Sequence, residues 1–126
     1  MTTSADTKVK LWNSSNNWNL LGTYTAHSAV VYSLIYLSND VIASGDSNGM
    51  IYMWSITSLT TISTINVDSA VDSLARLNNG FHLASGHSTG SIKIWNIIDG
   101  SLITTLLGHS NCVYDLVVIS DDLLAS

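Results

Sequence analysis

Along this chain, short apolar runs alternate with clusters of Ser, Thr, Asn, Asp and Gly. Val9 and Leu11 alternate with Lys8, Lys10 and Trp12, the two-residue period of a strand. Residues 19–25, NLLGTYT, read as a second strand after the polar turn at 13–17. Residues 30–37 are nearly all apolar, as expected of a strand buried on both faces. Asn39-Asp40 then turns the chain into a strand at 41–44, and the turn at 45–49 leads into another at 50–54. Four short strands bounded by turn residues make one unit. The next unit predicts strands at 59–65, 70–77, 81–85 and 91–95, with a turn at Asn78-Asn79-Gly80. A third predicts strands at 101–107, 112–119 and 123–126, with a turn at Asp121-Asp122, and ends one strand short.

The units are copies of one pattern. ASGDSNGMIYMW at 43–54 returns as ASGHSTGSIKIW at 84–95. A degenerate copy, TTSADTKVKLW, ends at Trp12, and LLAS closes the sequence at Ser126. Trp12, Trp54 and Trp95 stand 42 and 41 residues apart, a repeat-array period. No linker, charge run or low-complexity tail separates the copies, so residues 1–126 form a single array.

Composition supports an all-β reading. There are 20 Ser, 12 Thr and 11 Asn but no Glu, Gln or Pro, and all nine acids are Asp. Ser, Thr, Asn and Asp compete with helix for backbone hydrogen bonds, while Val, Ile, Thr and Tyr suit strands. Four Lys and Arg against a net charge of −5 argue against nucleic acid and lean toward a basic partner. The apolar runs at 34–37 and 116–119 are too short to span a bilayer. One cysteine, Cys112, and no leader pattern point to a cytoplasmic or other intracellular setting.

These residues resemble the WD40 repeat family along essentially the whole chain. Gly108-His109 matches its Gly-His, Ala26-His27 matches at the His, and Ala-Ser-Gly stands at 43–45 and 84–86. The copies depart in having Asn13, Ser55 and Asn96 after the tryptophans, and Val67-Asp68 in place of Gly-His. The resemblance implies β-propeller blades, each a four-stranded antiparallel sheet. It also implies a buried His, Ser/Thr, Asp and Trp tetrad in each blade, because a buried indole N–H and a buried imidazole need partners. On that basis His27, Ser44, Asn48 and Trp54 form one set, with Asn48 at the Asp position. Ser85, Thr89 and Trp95 form a second without a His. His109, Ser126, Asp6 and Trp12 form the one complete set, split between 101–126 and 1–12.

Three blade equivalents fall short of the about four blades a closed ring requires. The expectation is a partial propeller completed by head-to-tail association, giving six blades as a dimer or nine as a trimer, or by further sequence of a longer propeller. Family docking positions map to Val30, Tyr32 and Ser47, to Ala70, Asp72 and Ser88, and to Cys112, Tyr114 and Ala5. The implied function is a protein or peptide interaction scaffold without cofactor, metal or nucleic acid. The alternative is a self-assembling structural unit with no dedicated ligand. His109, Ser126 and Asp6 have nucleophilic-triad residue types, but a serine within an apolar strand favours the structural reading. His82 and His87 are expected to be solvated, and no Cys/His spacing fits a zinc site. The Gly86–Gly90 loop lacks the lysine of a phosphate loop.

Overall fold

The computed structural model describes residues 5–38, 40–77, 80–120 and 123–126. The turn positions Asn39, Asn78-Asn79 and Asp121-Asp122 lie outside the described residues. Twelve strands follow in order among these: β1 Val9–Asn13, β2 Asn19–Tyr24, β3 Val31–Ser38, β4 Val41–Asp46, β5 Met50–Ser55 and β6 Thr61–Asn66. Then come β7 Val71–Arg76, β8 His82–His87, β9 Ile92–Asn96, β10 Leu102–Leu106, β11 Val117–Ser120 and β12 Leu123–Ala125. A single 3-10 turn, Ser14–Asn16, joins β1 to β2.

Two complete blades result, β3-β4-β5-β6 and β7-β8-β9-β10, flanked by two-stranded sheets β1-β2 and β11-β12. All pairings are antiparallel, and the register repeats from copy to copy. Ile35 faces Ala43, Ala75 faces Ala84, and Val117 faces Ala125. Ile42 faces Trp54 and Leu83 faces Trp95. The sheets do not close into a ring.

The cores lie between blades. Leu37, Ala43, Ile51, Met53, Ile65 and Val67 of the first blade pack on Val71, Leu74, Leu83 and Trp95 of the second. Ala75, Ala84, Ile92 and Ile94 meet Val113 and Leu116. Val9 and Tyr24 seal the first blade's other face against Val31, Ile42 and Trp54. A sheet covered on both faces explains why β4 and β8 are almost wholly buried despite their Ser and Gly. A Cβ on Gly45 would strike Val71, and one on Gly86 would strike Ser73 and Val113. The Ala-Ser-Gly motif is therefore small because the next blade's inner strand crosses it.

Two expectations about the inner strands fail. Residues 30–37 are not buried on both faces: Val31 and Leu37 are buried, but Tyr32 and Tyr36 are exposed. β3 is the edge strand of its sheet, so part of it stays open to solvent. The third inner strand begins at Val117 rather than Cys112. In the repeat register, the cross-strand partners of Val113 and Asp115 fall past Ser126, so that stretch has no ladder to join.

Trp18, Leu59 and Gly100 occupy equivalent places just before the outermost strand of each copy. Their φ angles are +58, +57 and +73. Only glycine adopts this region without cost. Leu59 covers Gly22 with its side chain, but Trp18 is 67% exposed and gains little there. Trp18→Gly is therefore expected to stabilise the fold by about 0.5–1 kcal/mol. Urea unfolding followed by the remaining tryptophan fluorescence checks it, and a lowered midpoint would contradict it.

Candidate functional site

Trp54 projects from β5 onto Ser44 of β4, with its Nε1 donating to Ser44 Oγ at 2.7 Å. His27 Nε2 lies 2.6 Å from the same hydroxyl, and His27 Nδ1 lies 2.7 Å from Asp46 Oδ2. One proton arrangement satisfies all three contacts. The indole donates to the hydroxyl, the hydroxyl donates to Nε2, and Nδ1–H donates to the carboxylate. Asp46 Oδ1 in turn accepts the amides of Asn48 at 3.0 Å and Met50 at 2.9 Å. Asp46, not Asn48, thus fills the acidic place. Asn48 is exposed in the turn, whereas Asp46 shares a face with Ser44 two residues away. Tyr52 stacks on Trp54 and meets His27 edge-on, and Tyr24 tilts against Trp54 at 4.8 Å. Burial lowers the His27 pKa, and the Asp46 hydrogen bond opposes that shift.

The second blade builds the same chain with its imidazole on β8 rather than in the loop that enters the blade. Trp95 Nε1 donates to Ser85 Oγ at 2.7 Å, and His87 Nε2 lies 2.7 Å from that oxygen. His87 Nδ1 then reaches the Ala70 carbonyl at 3.2 Å. His87 stands where Asp46 stands in the first blade, and Val67 stands where His27 does. Asp68 turns outward to Lys93 at 2.6 Å. His87 is therefore fully buried, against the expectation of a solvated turn residue, and burial lowers its pKa. Thr89 is not part of the set; its hydroxyl bonds Ser91. The missed signal was alternation: residue i+2 from each buried serine shares its face.

The third set is not assembled within one chain. His109 Nε2 and Ser126 Oγ are 2.6 Å apart on the exposed β11-β12 side. Asp6 lies on the β1-β2 side, accepting from the Lys8 amide and pairing with Lys10 at 3.9 Å. Trp12 is 37% exposed, against 2% for Trp54 and 6% for Trp95.

Asp46, His27 and Ser44 have the connectivity of a nucleophilic triad, but not its accessibility. Ser44 is fully buried and its oxygen holds an indole N–H, so no substrate carbonyl can approach. Among the described residues, no group of three or more His, Cys, Asp or Glu is placed to hold a metal ion. No helix among them is long and apolar enough to cross a membrane.

The mapped docking positions divide. Tyr32, Asp72 and Tyr114 hold equivalent places on three successive inner strands or their lead-in, and together with Cys112 they line one cavity of about 490 Å³. Val30, Ser47 and Ser88 stand outside that lining. The Ser47 amide donates to the Val30 carbonyl, and the Ser88 amide makes the matching bond to Ala70.

Four-stranded antiparallel blades set side by side, each pinned by a buried Trp–Ser–His chain, define a repeat protein of the β-propeller type. A family model described as "WD domain, G-beta repeat" matches residues 18–55 and again 58–96, more than half of the chain. The chain belongs to the WD40 family. Repeats of this family generally serve as non-catalytic surfaces for protein–protein interaction.

Ser44→Ala leaves both the Trp54 indole and His27 without their shared partner. It is expected to cost about 1–3 kcal/mol. Chemical denaturation checks this, with an unchanged midpoint as the contrary result.

Proposed function

We propose that this chain is a non-catalytic interaction platform, working inside the cell, that takes a protein or peptide without a cofactor on the rim carrying Tyr32, Asp72 and Tyr114. The observation that carries the reading is the convergence of these three repeat-equivalent side chains on one cavity. Tyr32 and Tyr114 are 51% and 77% exposed. Tyrosine buries large area at an interface while keeping a polar tip, and loses little rotamer freedom. Buried Trp–Ser–His chains hold the two blades that carry Tyr32 and Asp72, so those two positions are preorganised. Replacing Tyr32 and Tyr114 together by Ala is expected to abolish capture of the partners that the wild-type chain retains in pull-downs. Retained partners with an unchanged circular dichroism spectrum would overturn the reading.

A second reading, self-assembly, is favoured by the half-blades. β11-β12 supplies inner strands and β1-β2 supplies outer ones, each with an open edge. Transferring the register of the complete blades places Leu124 opposite Trp12 and Ala125 opposite Leu11. Trp12 would then reach Ser126, where His109 already sits. Leu20, Leu21, Val117, Ile119 and Leu123, all exposed in one chain, supply apolar surface at the two ends. Light scattering is expected to give a mass of two or three chains; a monodisperse monomer would discard the reading.

A further inference from the structure

We propose that the cavity lined by Tyr32, Asp72, Cys112 and Tyr114 receives one cationic side chain, a lysine or arginine, presented by the docking partner. The inference rests on the platform reading above and names the chemistry of what docks there. Asp72 Oδ2 is buried and has no hydrogen-bond partner. A buried carboxylate oxygen without a donor destabilises the fold, and a positive charge brought against the Asp72 carboxylate offsets that deficit. Among the described residues, no Lys or Arg lines the cavity. Lys10 and Lys93 pair elsewhere, with Asp6 and Asp68. The chain as a whole carries a net charge of −5, so its long-range field also favours a cation.

The neighbours fit the same ligand. Tyr32 and Tyr114 line the cavity with Asp72, and a tyrosine ring face attracts a cation. Interaction with Cys112 raises the Tyr114 pKa, so its hydroxyl stays neutral. Desolvation raises the Asp72 pKa. An apolar or anionic side chain would leave Oδ2 as it is.

The test is a titration of the full chain, followed by amide chemical shifts, with N-acetyl-lysine amide, N-acetyl-arginine amide and N-acetyl-leucine amide. Saturable shifts around Tyr32, Asp72 and Tyr114 are expected with both cationic probes. The leucine probe is expected to bind about tenfold more weakly or worse. Asp72→Asn is expected to weaken the cationic probes to the level of leucine while leaving the unfolding midpoint unchanged or raised, since it removes an unsatisfied charge. A lowered midpoint would mark Asp72 as a structural residue and overturn the proposal. Equal response to leucine and lysine would overturn the cationic assignment while leaving the platform reading intact. Failure of the platform reading shows separately, as unchanged partner capture by the Tyr32→Ala, Tyr114→Ala variant.

Discussion

A tryptophan indole sealed between two sheets must find an acceptor where water cannot supply one. In this chain the acceptor is a serine hydroxyl on the neighbouring strand, and the rest of each blade follows from that contact. The hydroxyl has one proton to give, so a neutral imidazole must be there to receive it. The imidazole's remaining N–H then needs its own acceptor. Each step fixes a tautomer, a rotamer and a strand register. A slip of one residue would turn Ser44 out of the core and leave Trp54 and His27 both unmet. The inter-blade cores supply most of the burial but would tolerate shuffled aliphatics. The polar chain is what makes the register unique.

The two complete blades show that this chain of bonds can be met in two ways. In the first, the imidazole comes from the loop entering the blade and the last acceptor is Asp46 on β4. In the second, the imidazole comes from β8 and the last acceptor is a backbone carbonyl of the entering loop. Both route Trp N–H to Ser to His to an oxygen. What differs is the charge buried. The first blade encloses a carboxylate that needs two backbone amides to sustain it. The second sends Asp68 to the surface with Lys93 and encloses a neutral pair. Desolvation of a charge is the more costly option, and the second arrangement avoids it.

The period, the strand count and the family were legible in the sequence, because spacing and motif order survive in the copies. Ser44, Trp54, Ser85, Trp95 and His27 could be named from the motif. Asp46 and His87 could not, because the family pattern directs attention to the turn at Asn48 and Thr89. Strand alternation alone points to the residues two beyond each serine. The strand expected at 112–119 forms only from Val117 onward for a different reason: apolarity predicts a strand, but a strand also needs a neighbour to bond. The cavity at Tyr32, Asp72 and Tyr114 was legible only as a set of equivalent positions. Its unsatisfied oxygen depends on what the adjacent blades fail to place beside it.

That failure stands out against the other carboxylates discussed above, although Ser69 Oγ and Arg76 Nε also lack a partner. Each buried Asp or His discussed above has an oxygen, nitrogen or amide within hydrogen-bond distance. Asp40, at the surface, collects Ser55, the Thr57 amide and the Thr57 hydroxyl. A fold that satisfies carboxylates this consistently leaves Asp72 Oδ2 bare on the one rim where three blades present the same position. Asparagine or threonine at 72 would serve the wall at lower cost if the wall were all that mattered. An unsatisfied buried polar group calls for an explanation, and a partner's positive charge beside Asp72 supplies one. The two flanking tyrosines then restrict which donor suits the place: their ring faces favour a positive charge over a neutral amide of the same reach.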